Sequence, residues 1–109
     1  MEIDDISTLN LNDSDITEIR VNRSYEIEVF LNLITSYDTQ ESQPCLLVFQ
    51  DCQSAALDLK LAYSGPNSIM SGSQTSREDG FVEYEIETNT TASKIRVIAR
   101  KLVLLNASD

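Results

Sequence analysis

Two groups of carboxylates and two thiols are the chain's candidates for chemistry: Asp13, Asp15 and Glu18; Glu83, Glu85 and Glu87; and Cys45 and Cys52. Paired carboxylates can share acid and base roles or hold a hard cation. The second group alternates in sequence, so on a strand its members share one face. Lys94 and Arg96 follow, and the set reads as a solvated face of ion pairs rather than a catalytic pair. The first group stands with Asn10 and Asn12 in NLNDSD and offers oxygen ligands of the type calcium takes. Its spacing is not that of an EF-hand loop, and no glycine makes the sharp turn. It therefore reads first as a turn with capping side chains. A calcium- or small-molecule-binding β domain stays as a rival reading.

On one extended strand the two thiols would stand about 23 Å apart. Bridged Cα atoms stand about 5.5 Å apart. A hairpin joining the two would turn at Val48 and Phe49, a poor turn pair. Two free thiols are expected, with Asp51 raising the pKa of Cys52 and leaving it inert. The chain has no histidine. Ser–His–Asp and Cys–His nucleophile systems cannot then be built, and zinc loses its usual nitrogen ligands. Gly65, Gly72 and Gly80 are isolated from one another, so no phosphate-cradling loop is present. The expectation is a protein that is not an enzyme and carries no cofactor or metal.

Eighteen acidic and 8 basic residues give a net charge of -10 over 109 residues. Nucleic acid and anionic membrane surfaces are poor partners for such a chain, because both are bound by Lys and Arg. A basic protein partner would be steered in, although acidity also simply keeps small domains dissolved. The length suits one domain, residues 1–109. Apolar runs are too short to span a membrane as a helix. Met1 is followed by EIDDIS, which has neither a basic region nor an apolar stretch, so no signal peptide is expected and the cytoplasm is the default location.

The elements that must position these residues read as strands. YEIEVFLNLI (25–34) alternates, with Tyr25, Ile27, Val29, Leu31 and Leu33 on one face. ITEIRV (16–21), CLLVFQ (45–50), ALDLKLAY (56–63), FVEYEIET (81–88) and SKIRVIARKLVLL (93–105) are the other candidates. Residues 54–63 also fit a helix, and alternation favours the strand. Residues 1–9 read as a short helical or irregular lead-in, flexible over 1–11, and 64–80 as a long loop holding all three glycines. Strands 81–88 and 93–105 pair in one register: Glu87 with Lys94, Ile86 with Ile95, Glu85 with Arg96, Tyr84 with Val97. A slip of one residue would spoil both the charged and the apolar matches. LLVF (46–49) and Phe30-Leu31 are apolar on both faces. Either the sheet folds over on itself, or its second face meets another chain. The fold expected is an antiparallel β-sandwich or flattened barrel of about six strands.

NDSDITEI (12–19) and LLVFQDCQSAALDLKLAYSGPNSI (46–69) together resemble a group of small bacterial all-β proteins. Those open with HDSxIxxI and continue with LxFxxCxxLxLxLxxxxxxSI. The resemblance spans about Asn12 to Leu105, and this chain has Asn12 where the group has histidine. Some members of the group are similar to immunity proteins that neutralise polymorphic toxins. The resemblance implies a small, acidic, cytoplasmic, non-catalytic binder and supplies no catalytic residues. The contact residues expected are Glu26, Glu28, Asp38, Glu41, Glu78 and Asp79, with Ile69 and Met70 as an apolar anchor in the long loop. A structural homodimer joined through an apolar second face is the alternative.

Overall fold

A computed structural model describes residues 1–36, 38–39, 41–59, 68–88 and 93–107. Among these residues eight strands form two antiparallel four-stranded sheets. They are β1 (Asp15–Val21), β2 (Ile27–Ser36), β3 (Glu41–Gln50), β4 (Ser54–Asp58), β5 (Ile69–Ser76), β6 (Val82–Thr88), β7 (Lys94–Ala99) and β8 (Lys101–Asn106). The first sheet runs β1-β2-β3-β8 and the second β4-β7-β6-β5. Their apolar faces pack together as a sandwich. The sheets do not close into a barrel, which decides between the two forms expected. No helix among the described residues is long and apolar enough to cross a membrane.

Alternation builds the core. Ile27, Val29 and Leu31 of β2 point inward beside Cys45, Leu47 and Phe49 of β3. From the second sheet Tyr84, Ile86, Ile95, Val97 and Ala99 meet them. Phe49 and Tyr84 join the two sheets, their ring centroids 5.1 Å apart and tilted by 60°. The β6–β7 register is the one expected, from Glu87 opposite Lys94 to Tyr84 opposite Val97.

The run expected as one strand over 93–105 is two strands. It breaks at Arg100, whose N–H donates to the Gln50 carbonyl at 3.1 Å. β7 lies in the second sheet and β8 in the first. β3 and β4 make the same crossing beside it, turning at Asp51 with φ 54. A two-stranded ribbon thus folds over at one end of the sandwich, and bending both strands together keeps the hydrogen-bonded ladder on either side of the corner.

Two expected irregular segments are structured. Residues 64–80 are not one loop, because Ile69–Ser76 is β5, paired along β6. Pairing, not strand propensity, makes a strand of these small polar residues. Residues 1–11 are not a loose lead-in. The N–H of Ile3 donates to Leu102 at 2.8 Å, and Leu104 donates to Met1 at 2.8 Å, along the edge of β8. The chain then crosses to β5, where Ile6 donates to Gln74 Oε1 at 2.7 Å and Gln74 Nε2 donates to Asp4 at 3.0 Å. Ile3, Ile6 and Leu11 are buried in the core. A single 3₁₀ turn at Ile6–Thr8 is capped by Asp5, which accepts from the Ser7 N–H at 3.0 Å. The expected strand residues 60–63, the loop residues 64–67 and the hairpin turn at 89–92 lie outside the described residues.

Candidate interaction face

The outer faces of the two sheets differ. On the second sheet Glu83, Glu85 and Glu87 of β6 stand beside Lys94 and Arg96 of β7. Lys94 reaches Glu87 at 3.3 Å, and Arg96 reaches Glu85 at 3.5 Å and Glu83 at 3.8 Å. Ser71, Ser73 and Thr75 of β5 complete a polar surface. Such exposed pairs contribute little each, and the face is what a solvated sheet should carry.

The first sheet carries apolar groups in the corresponding place. Cross-strand pairing sets Glu18, Phe30, Leu46 and Leu105 in one outer row. The next row is Arg20, Glu28, Val48 and Val103. Val48 is only 5% exposed although it faces away from the core. Leu105 is 45% exposed at the β8 side, and Phe30, Leu46 and Val103 are half-buried. This answers the question raised by LLVF: Leu47 and Phe49 fill the sandwich, while Leu46 and Val48 form the middle of an outward apolar strip.

One border of the strip is charged and fixed. The Arg20 guanidinium lies over the Phe30 ring, 4.8 Å from its centroid. Its Nε donates to Glu28 Oε1 at 2.9 Å, and Glu18 stands 3.9 Å away. Asn22 Nδ2 donates to Glu26 at 2.8 Å and Glu28 at 3.3 Å. The Asn22 Oδ1 accepts from the N–H groups of Ser24 at 2.9 Å and Glu26 at 3.0 Å. One asparagine therefore organises the whole β1–β2 turn. At its tip Tyr25 has φ 58 and is 80% exposed, so it leaves the inner face where alternation had put it.

The expected contact residues do not form one surface. Glu28 borders the apolar strip, and Glu26 lies beside it in the β1–β2 turn. Glu78 and Asp79 lie in the β5–β6 turn, on the far side of the folded ribbon, where Arg77 pairs with Asp79 at 3.4 Å. Arg100 stacks on Phe81 at 4.3 Å beside them. Asp38 and Glu41 are exposed at the β2–β3 turn, the opposite end of the first sheet. Ile69 is 0% exposed within β5 and cannot anchor a partner. Met70 is 46% exposed, at the point where the β5–β6 register shifts.

The thiols are free, Cys45 buried and Cys52 half-buried. Cys52 Sγ donates to the Phe49 carbonyl at 3.1 Å. Burial pushes both thiols up. For Cys52 the backbone of Ile27 partly offsets this, and the carboxylates of Glu26 and Asp51 add to it. Asp51, the cause read from the sequence, is thus the least of them. In NLNDSD, Asp15 Oδ1 accepts from Ser68 Oγ at 2.8 Å, and Asp13 takes a turn conformation with φ 67. Among the described residues no three carboxylate or thiol groups converge as a metal site.

No protein-family model, no curated protein and no solved structure matches this chain.

Proposed function

We propose that the protein acts by binding another protein through the outer face of the β1-β2-β3-β8 sheet, with no reaction of its own. The observation that carries this reading is the contrast between the two outer faces. One sheet shows water a ladder of ion pairs; the other shows it Leu105 and the half-buried Phe30, Leu46 and Val103, packed around the buried Val48. A contiguous apolar strip with a polar border is the usual make-up of a binding surface. The partner's chemistry follows from the border and the field. Glu18, Glu26 and Glu28 line the β1 side and outnumber Arg20 there, and the whole chain carries -10. An apolar patch ringed by Lys and Arg would be both complementary and steered in. A toxin neutralised by an immunity-type inhibitor is a partner of that kind.

The test is capture from lysate of the cells that make the protein, with wild type, Leu105→Glu and Thr75→Glu compared. Thr75 sits on the polar face of the other sheet and serves as the control. A stoichiometric basic protein held by wild type and Thr75→Glu but lost with Leu105→Glu supports the reading. Equal capture by all three variants contradicts it.

A further inference from the structure

Among the described residues four strands border the sheets, and three of them are blunted. The edge of β8 is paired by residues 1–3. The edge of β5 is met by residues 4–14, through the Gln74 side chain, through Asp13 N–H donating to Ile69 at 2.8 Å and through Ile69 N–H donating to Ser14 at 2.8 Å. β1 is interrupted by a register shift between Ile16 and Glu18 and carries the Glu18 and Arg20 charges. Bulges, charges and covering segments are how sheets avoid edge-to-edge pairing. Among the described residues β4 has none of these over Ser54–Ala55–Ala56–Leu57, its one charge being Asp58 at its end. All five of its residues are exposed, and Leu57 is 46% exposed although it lies opposite the buried Ile95.

We infer that β4 pairs antiparallel with β4 of a second copy, about a two-fold axis at Leu57, joining the two second sheets into one continuous sheet. The side chains select that occupant and register. On the core side Leu57 meets its own copy and Ala55 meets Leu59, so apolar groups cover one another. On the outer side Ala56 stands opposite Arg96 within the chain. Its short side chain leaves a hollow of about 240 Å³ lined by Ala56, Leu57, Asp58, Lys94 and Arg96. The proposed register lays Asp58 of the second copy beside Ala56, in that hollow. Asp58 and Arg96 then lie about two strand spacings apart, roughly 10 Å, and reach each other across the alanine. Two chains of -10 repel at long range, and this contact sets opposite charges together where they meet. The main-chain ladder supplies the rest, as in other strand additions.

The experiment is light scattering of the full chain at high micromolar concentration, with Leu57→Lys, Asp58→Lys and Leu105→Glu beside wild type. Amide exchange at residues 54–58 is followed on dilution. The expected result is twice the chain mass for wild type and Leu105→Glu, loss of the dimer with Leu57→Lys and a weakened dimer with Asp58→Lys. The β4 amides should exchange faster as wild type is diluted. Circular dichroism shows whether each variant stays folded, and the dilution readout on wild type needs no variant. A monomeric wild type overturns the inference. So does a dimer lost with Leu105→Glu and kept with Leu57→Lys, which would place the contact on the other sheet. An unchanged Asp58→Lys dimer overturns the register.

Discussion

Tyr25 is the residue whose geometry most needs a reason. A bulky L residue at φ 58 costs about 1–2 kcal/mol relative to ordinary backbone, and a side chain 80% exposed recovers little by burial. Tyr25→Gly is therefore expected to raise thermal stability, by about 1 kcal/mol. An unchanged or lower melting temperature would mean that the ring makes a contact of its own. Asn22→Ala should act oppositely, since four side-chain hydrogen bonds of the turn go with it. A loss of about 1–2 kcal/mol in denaturant titration is expected. The thiols and Tyr84 set the alkaline behaviour. Burial raises all three, so the stability they contribute by staying protonated is complete below the ordinary thiol value. It is lost as pH rises through the raised values. Melting temperatures should fall on the alkaline side, and a flat profile there would contradict the burial. Free thiols were legible from the spacing and from the poor turn pair between them. The Tyr25 conformation was not, because alternation carries no sign of where a hairpin turns.

At the scale of elements, legibility depended on how much of a pairing is coded by side chains. β6 and β7 carry a charge match on one face and an apolar match on the other, so only one register satisfied both. β5 has a nearly uncoded sequence, IMSGSQTS, and becomes a strand because β6 and the N-terminal segment hold it. The break at Arg100 has no glycine or proline to announce it and follows from the ribbon's crossing between sheets. The N-terminal segment looked like a tail because its apolar residues, Ile3, Ile6 and Leu11, have no strand period. Its role is testable at Gly72. A Cβ there would stand 3.0 Å from Leu11 Cδ1 and 3.4 Å from Ile6. Gly72→Val should cost about 1–3 kcal/mol by lifting this segment off β5. Ile6→Ala should cost about 2–5 kcal/mol by leaving a cavity under it. Small effects in both, read by denaturant unfolding, would mean that the segment is only loosely seated.

The whole molecule joins a charge of -10 to an unequal pair of faces. Self-repulsion should make stability rise with moderate salt, as screening relieves it, while binding of a basic partner should weaken over the same range. The apolar strip was legible as a pattern, since Phe30-Leu31 and LLVF are apolar at both parities. Its place was not legible, because strand order decides that Phe30, Leu46 and Leu105 fall in one row. The expected acidic contacts dispersed for the same reason: sequence neighbours at 26–28, 38–41 and 78–79 went to three different turns or borders. Photo-crosslinking inside the cells that make the protein tests the central claim most directly. A photoreactive amino acid replaces Leu105 in one variant and Thr75 in another. One discrete adduct to a basic protein is expected from position 105 and none from position 75. Adducts from position 75 with none from position 105 would contradict it.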